Sequence, residues 1–410
     1  MLEYIDGGVC AAKGFKASGL EVGIKEGHNG KKDMAMIYSD VPCKAAGVFT
    51  SNLVKAAPVQ WDKKAIEEAE SIRVIVVNSG VANACTGTQG MEYCDEIARE
   101  TANVTGVEEN QVLCASTGVI GVQLPIDKIK LGINRLYPVV NADSKGAALA
   151  AEAIMTTDTV SKQVAVRTTI GGKEVTVGGM CKGSGMIHIN MCTMLGFITT
   201  DVNITKEMLQ CALNETIPDT FNMVSVDGDT STNDTVILLA DGMAENACIS
   251  EKNEDYKLFV EALKAVSEAL SKKIASDGEG ATALFEVKVV NALTKQDAVG
   301  LSKSIVTSSL TKAAIFGHDA NWGRILCAMG YSGVQFNPET VDIYFESVAG
   351  KIKIVENGVA TDYSEEEATK ILSQKEITAI ADVKMGSTSA TAWGCDLTYD
   401  YVKINADYRS

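Results

Sequence analysis

The sequence predicts a mixed α/β protein, and three observations carry that prediction. β-Branched and apolar runs alternate with amphipathic helical stretches along most of the chain, which is how sheets layered with helices read in sequence. One hairpin is legible in full: KQVAVRTTI, the pair Gly171 and Gly172, then KEVTVGG, alternating in both arms. With 410 residues, 46% of them hydrophobic and 22% charged, the chain can bury a large core and form two or three domains.

Taken in order, AGVFT (46–50) has the composition of a strand, DKKAIEEAE (62–70) of an exposed helix, and RVIVVNSG (73–80) of a buried strand. GMEYCDEIARETANVTG (90–106) is helical, with Met91, Cys94, Ile97, Ala98 and Ala102 on one face. QVLCAS (111–116) is a short strand that runs into TGVIG (117–121), and Pro125 suits the first turn of a helix reaching Leu136. Ser144 is placed to cap the alanine-rich helix KGAALAAEAIM, which stops at the polar cluster TTDT (156–159).

The hairpin's second arm delivers the chain to GGMCKGSGMIHINMCTMLGFITTD (178–201). TKEMLQCALNET (205–216) then reads as a helix. The acidic and hydroxyl-rich VSVDGDTSTND (224–234) reads as a polar turn, since its spacing fits no calcium loop. A long amphipathic helix over 256–274 puts Phe259, Leu263, Val266 and Leu270 on its apolar face and ends at SDGEGA. From Leu284 the pattern resets: FEVKVVNA as a strand, a helix around Lys303, the turn GHDANWGR, the strands VDIYFE and KIKIVENG, the short helix EEEATKIL, EITAIADV, and a closing strand through YVKIN. Residues 285–400 are thereby expected to form a carboxy-terminal α+β unit.

A net charge of −16 opposes a nucleic-acid partner, because phosphate binding needs a concentrated basic surface. Eleven cysteines are scattered without a C-x-x-C pair and only three histidines (His28, His188, His318) exist to join them, so structural zinc is not expected. Unclustered thiols fit a reduced, cytoplasmic chain. MLEYIDGG lacks the basic-then-apolar pattern of a secretion signal, so none is expected, and no apolar run approaches the ~18 residues of a membrane span.

The conventional catalytic sets are missing: no G-x-S-x-G elbow, H-E-x-x-H, P-loop or dinucleotide fingerprint occurs. His188 and His318 read as structural histidines. What stands out is the stretch before Thr193, with four glycines, Lys182 and His188, followed by the apolar run TMLGFITTD. Glycine permits positive φ and close backbone approach, so a hydroxyl residue here sits between a permissive loop and a rigid strand. By itself the pattern is equally that of a hairpin corner.

A threonine hydroxyl is a poor nucleophile at neutral pH, and one remedy requires no other side chain. Freed as a chain terminus, the residue's own α-amine, with a pKa of about 7.7–8.0, can accept the hydroxyl proton. That requires cutting Cys192–Thr193. The Thr193 hydroxyl can perform the cut itself by attacking the preceding carbonyl, given backbone strain and oxyanion donors.

At this point the chain resembles the glutamate N-acetyltransferases, also called ornithine acetyltransferases, of arginine biosynthesis. KGSGMIHINMCTMLGFITTD is similar to their self-cleavage segment. NSGVANACTG, STGVIG, TTDT, DGEGAT, GHDANWGRI and YVKINADYRS look like that family's blocks, in order and over nearly the whole chain. The family's wording before the nucleophile is His-Pro-Asn-Met-Ala-Thr, and this chain departs from it at Ile189 and Cys192. Cysteine is small enough to replace alanine there.

The resemblance implies a layered αββα sandwich of the self-processing amidase kind with the carboxy-terminal α+β unit. It implies cleavage into an α chain (1–192) and a β chain (193–410). Thr193 is the implied nucleophile, and Thr117 and Gly118 the oxyanion hole. Thr156 or Thr157, Lys182, Thr193, Glu279, Asn405 and Ser410 are the implied substrate contacts. The implied reaction moves acetyl from N2-acetylornithine to glutamate with no metal or organic cofactor, acetyl-CoA serving as co-substrate in some members, in an α2β2 heterotetramer or a multiple of it. Two rivals predict different behaviour: a self-processed amidase or aminopeptidase would hand the acetyl group to water, and a phosphate-binding protein would remain uncut.

Overall fold

The computed structural model describes residues 2–25, 30–188 and 194–406. The chain begins with β1 (Glu3–Ile5), β2 (Phe15–Leu20) and the 16-residue β3 (Met34–Phe49). α1 (Ala57–Glu68), β4 (Ile72–Val81), α2 (Gln89–Thr105), β5 (Val112–Val119), α3 (Ile126–Leu136) and α4 (Ser144–Ala153) follow. The buried face of α2 runs through Tyr93, Cys94, Ile97, Ala98 and Thr101, leaving Met91 and Ala102 at its margin.

The hairpin forms as β6 (Lys162–Ile170) and β7 (Lys173–Lys182), in register from Ile170 opposite Lys173 to Lys162 opposite Cys181. Gly171 and Gly172 take φ of +57° and +75°, the pair of positive values that a two-residue type I′ turn requires. Then come β8 (Ile187–His188), β9 (Leu195–Thr200), α5 (Lys206–Thr216), β10 (Ser225–Thr230), β11 (Thr235–Ala240) and the 23-residue α6 (Glu254–Ser276).

β3 is the hinge of the architecture. Its first half pairs with β2 and β4, and its second half with β11, so one strand serves two sheet surfaces. The full order is β1-β6-β7-β9-β11-β3-β4-β5, with β2 alongside β3. The two halves face each other across a core built from Phe15, Ile37, Ile75, Val77 and Leu113 on one side and Met180, Phe197, Ile237 and Leu239 on the other.

Alternation along the strands sends the intervening residues outward. Val74, Val76 and Cys114 pack under α2 and α3, while Val166, Val177, Ile198 and Leu238 pack under α5 and α6. Helix, sheet, sheet, helix is therefore the layering, as the resemblance implied.

The chain continues with β12 (Leu284–Ala292), α7 (Lys295–Thr307), α8 (Ser309–Phe316), α9 (Trp322–Gly330), β13 (Asp342–Ser347), β14 (Gly350–Glu356) and β15 (Val359–Ala360). α10 (Glu365–Leu372), β16 (Glu376–Asp382), β17 (Thr388–Cys395) and α11 (Tyr399–Asn405) complete it. These strands form a second, six-stranded sheet, β15-β14-β13-β16-β12-β17, whose apolar residues join the core under α6. Among the described residues no helix is long and apolar enough to cross a membrane.

Two expectations from sequence are corrected. YVKIN is not a strand: the closing strand is β17, and Tyr399–Asn405 is helical because the Thr398 hydroxyl accepts the Tyr401 N–H as an N-cap, with Asp400 in the first turn. The cap of α4 is Asp143, whose Oδ1 accepts the Gly146 N–H at 2.8 Å, and Ser144 is the first helical residue.

Candidate active site

The expected site residues that the structure describes converge from five separate stretches. Thr117 and Gly118 end β5, Lys182 ends β7, and Thr156 and Thr157 lie in the loop after α4. Glu279 lies in the loop between α6 and β12, and Asn405 is the last residue of α11. All seven line one cavity of about 220 Å³, together with Gly185, Met186 and Ser231–Asn233. Two larger hollows, about 630 Å³ beside α1 and about 400 Å³ beside α4, contain none of them.

Cys192, Thr193 and Ser410 lie outside the described residues, as do His28 and Ile189. The first described residues past the expected junction are firmly held. Met194 donates its N–H to Asp234 Oδ1 at 3.0 Å and accepts from the Thr235 N–H at 3.0 Å, and Leu195 sits opposite Lys182 in the β7–β9 ladder.

Gly118 has φ of +134°, and a Cβ there would lie 2.2 Å from the Gly80 carbonyl carbon. Only glycine fits, and the β4–β5 register slips at this point, turning the end of β5 out of a regular ladder. Asn233 fixes that end from below: its Nδ2 donates to the carbonyls of Ser116 at 2.7 Å and Ala82 at 2.6 Å.

Lys182 is 4% exposed, and its ammonium has no hydrogen bond or ion pair with a described residue. Burial pushes its pKa down, Asp158 opposes that shift and the charge of Lys162 adds to it. A buried cation without a close partner among the described residues is poised for an anion from solution.

Behind it lies a buried network. Asp158 accepts from the Lys162 ammonium at 2.7 Å, the Gly183 N–H at 2.9 Å and the Thr156 N–H at 3.1 Å. Lys162 also donates to Asp277, which accepts as well from Thr159 and from the Val160 N–H. Burial works against the Asp158 charge, but Lys182 and Lys162 hold its carboxyl below the usual carboxylate range. These bonds tie the TTDT loop to the end of β7 and to the loop that carries Glu279.

Glu279 is 5% exposed, and its Oε2 accepts the Asn405 Nδ2–H at 2.7 Å. Its backbone N–H donates to the Ser184 carbonyl at 3.1 Å. A Cβ on Gly185 would fall 2.3 Å from the same Oε2, so the absence of a side chain at 185 makes room for the carboxylate. The cavity thus presents a cation on one wall, a carboxylate on another, and hydroxyls and a bared strand end between them. That arrangement suits a small molecule bearing both a carboxylate and an amino group.

Sequence reading missed Asp158, Lys162 and Asp277 as a network, and Ser231, Thr232, Asn233 and Asp234 as parts of the site. TTDT and VSVDGDTSTND were visible as polar clusters. What sequence did not reveal is that Asp158, Asn233 and Asp234 are each less than a tenth exposed.

The sequence model of a family described as the ArgJ family matches residues 16–410. The arginine biosynthesis bifunctional protein ArgJ of Thermotoga neapolitana is 51% identical over 97% of this chain and 99% of its own length. The protein of the same name from Caldanaerobacter subterraneus subsp. tengcongensis is 50% identical over the full length of both. Among solved structures, the arginine biosynthesis bifunctional protein argJ from Bacillus halodurans is similar at 48% identity with a TM-score of 0.50, covering 52% of this chain and 99% of that one.

Proposed function

The chain belongs to the ArgJ family, and from that premise we propose that it is a self-cleaving acetyltransferase of arginine biosynthesis that moves acetyl from N2-acetylornithine to glutamate through an ester on Thr193. The observation that carries this reading is the single cavity holding Thr117, Gly118, Thr156, Thr157, Lys182, Glu279 and Asn405.

Maturation comes first. The Thr193 hydroxyl oxygen attacks the Cys192 carbonyl carbon, the peptide C–N bond breaks, and the Thr193 nitrogen takes the hydroxyl proton. Water then opens the ester, leaving a carboxylate on Cys192 and a free hydroxyl and α-amine on Thr193. The products are an α chain, 1–192, and a β chain, 193–410. A polypeptide half the length of this chain, as in the Bacillus halodurans structure, is in keeping with such a cut.

In transfer, the Thr193 hydroxyl attacks the acetyl carbonyl of N2-acetylornithine while its α-amine takes the proton and passes it to the departing ornithine nitrogen. The Thr117 hydroxyl and the Gly118 N–H receive the oxyanion. Lys182 binds the substrate α-carboxylate, and Glu279, oriented by Asn405, binds a substrate ammonium. Either Thr156 or Thr157 completes the wall, and Ser410 is assigned to the same pocket. Glutamate then takes the acetyl group and restores the hydroxyl. No metal or organic cofactor enters, acetyl-CoA is a second acetyl donor, and the enzyme works in the cytoplasm as an α2β2 heterotetramer or a multiple of it.

Denaturing electrophoresis and intact mass of purified protein, with a transfer assay, test this. Wild type yields two fragments meeting at 192/193 and makes N-acetylglutamate from N2-acetylornithine and glutamate. Thr193→Ala stays a single chain without transfer. Active enzyme continuous across that junction overturns the proposal, and release of free acetate without N-acetylglutamate would assign the chain to the hydrolases instead.

A further inference from the structure

The polar segment between Ser225 and Asp234 is no surface turn. Its start forms β10, paired with β8, and its end leads into β11, paired with β9, so it runs beside the chain on both sides of residues 189–193. Upstream, Asp227 grips two consecutive amides, accepting the Met186 N–H on Oδ2 at 2.6 Å and the Ile187 N–H on Oδ1 at 2.8 Å. Downstream, Asp234 Oδ1 accepts the Met194 N–H at 3.0 Å.

We propose that Asp227 and Asp234 are the positioning residues of self-cleavage, holding the backbone on the two sides of the Cys192–Thr193 junction; this rests on the reading that the chain cuts itself there.

The attack of a hydroxyl on the carbonyl just before it has its reactants joined already, so its rate depends on orientation and local strain. Both depend on how the flanks are fixed. Six residues of one segment separate the two aspartates, and six residues separate Ile187 from Met194, so two spans of equal length are pinned to each other at both ends. Strain is present next to the upstream grip: Ser184 and Met186 are non-glycine residues with φ of +114° and +58°.

Asp234 carries a second sign of function. It is 2% exposed, and its Oδ2 has no hydrogen-bond partner among the described residues. Burial pushes its carboxyl well above the usual range, opposed by the Met194 N–H bond, the nearby Thr50 hydroxyl, which donates instead to the Ser231 carbonyl, and the Lys182 charge. A buried carboxylate oxygen without a partner among the described residues, on the side chain that holds Met194, is a cost that packing alone does not explain. Among the described residues no three His, Cys, Asp or Glu side chains gather to hold a metal that would account for it.

The test follows splitting of the full chain, pulse-labelled in a cell-free translation reaction and sampled on denaturing gels. Wild type must split; if it does not, the underlying reading of self-cleavage fails and not this one. Asp227→Ala and Asp234→Ala are expected to slow splitting at least tenfold while the thermal transition is kept. Asp234→Asn, which retains an acceptor for Met194 and resembles the protonated acid, is expected within about threefold of wild type.

An Asp227→Ala chain that splits at the wild-type rate overturns the proposal, whatever Asp234→Ala does. So does slow splitting of Asp227→Ala accompanied by loss of the thermal transition, which would mark a merely structural residue. If Asp234→Ala does not fold, Asp234→Asn decides that side: slowing of tenfold or more overturns positioning through the Met194 bond.

Discussion

Glu279 is held by what is missing at residue 185 as much as by what is present at 405. Alanine at Gly185 would press a methyl group against both carboxylate oxygens, which lie 2.3 and 2.5 Å from the added carbon. Gly185→Ala is therefore expected to displace the carboxylate from Asn405 and lower kcat/KM for transfer about tenfold or more, read in a steady-state assay. Glu279→Gln keeps an acceptor for Asn405 but loses the charge. A hydrogen bond to a charged group contributes about 1.5–3 kcal/mol, so KM for N2-acetylornithine should rise roughly tenfold to hundredfold while folding is unaffected. A KM that stays at the wild-type value would remove Glu279 from the substrate's ammonium.

At the scale of elements, the buried Asp158–Lys162–Asp277 network joins the loop after α4, the start of β6 and the end of α6. Lys162→Met would strand two carboxylates without their cation. Breaking a buried pair in this way costs about 3–5 kcal/mol, which urea unfolding would show as a lower midpoint.

The end of β11 gives a pH signature. Burial pushes the Asp241 carboxyl up to about 7, the Asp201 charge adding to that, and its Oδ2 has no partner among the described residues. An acid with a folded pKa above its unfolded value of about 3.9 keeps a proton in the folded state that the unfolded chain has released. Wild type therefore loses stability as pH rises from about 4 to about 7 through this group. Asp241→Asn abolishes that loss, so its urea midpoint relative to wild type should be higher at about pH 8 than at about pH 4.

How much of this was readable in sequence depends on how local the deciding interaction is. The β6–β7 hairpin was legible because two glycines and alternating arms settle it within twenty residues. YVKIN alternates as a strand does and became a helix, since its Thr398 cap lies outside that pattern. The cap of α4 was misplaced by one residue for the same kind of reason. Seven of the fourteen residues that line the cavity were legible through resemblance, but Asn233 in its wall and Asp234 beside it were not: what they hold, Ser116 and Met194, lies far away along the chain.

For the molecule as a whole, the cavity depends on its last helix. α11 is fastened where the Thr398 hydroxyl donates to the Gly280 carbonyl at 2.7 Å, and it brings Asn405 to Glu279. Ending the chain after Asp396 is expected to leave splitting intact and to lower transfer at least tenfold, measured on the same preparation by gel and by assay. The proposed α2β2 assembly, or a multiple of it, predicts by light scattering the mass of two complete chains or a whole multiple of that mass.

The β7–β9 ladder has a further consequence. It runs from Val177 opposite Thr200 to Lys182 opposite Leu195, so the two products of the proposed cut share the interior of one sheet. Before the cut, refolding is the private affair of one molecule; afterwards two strangers must find each other first. Recovery of the matured enzyme from urea should then quicken with protein concentration, while recovery of uncut Thr193→Ala should not. Maturation would thus turn a reversible folder into one that has a single good opportunity to assemble, at its birth.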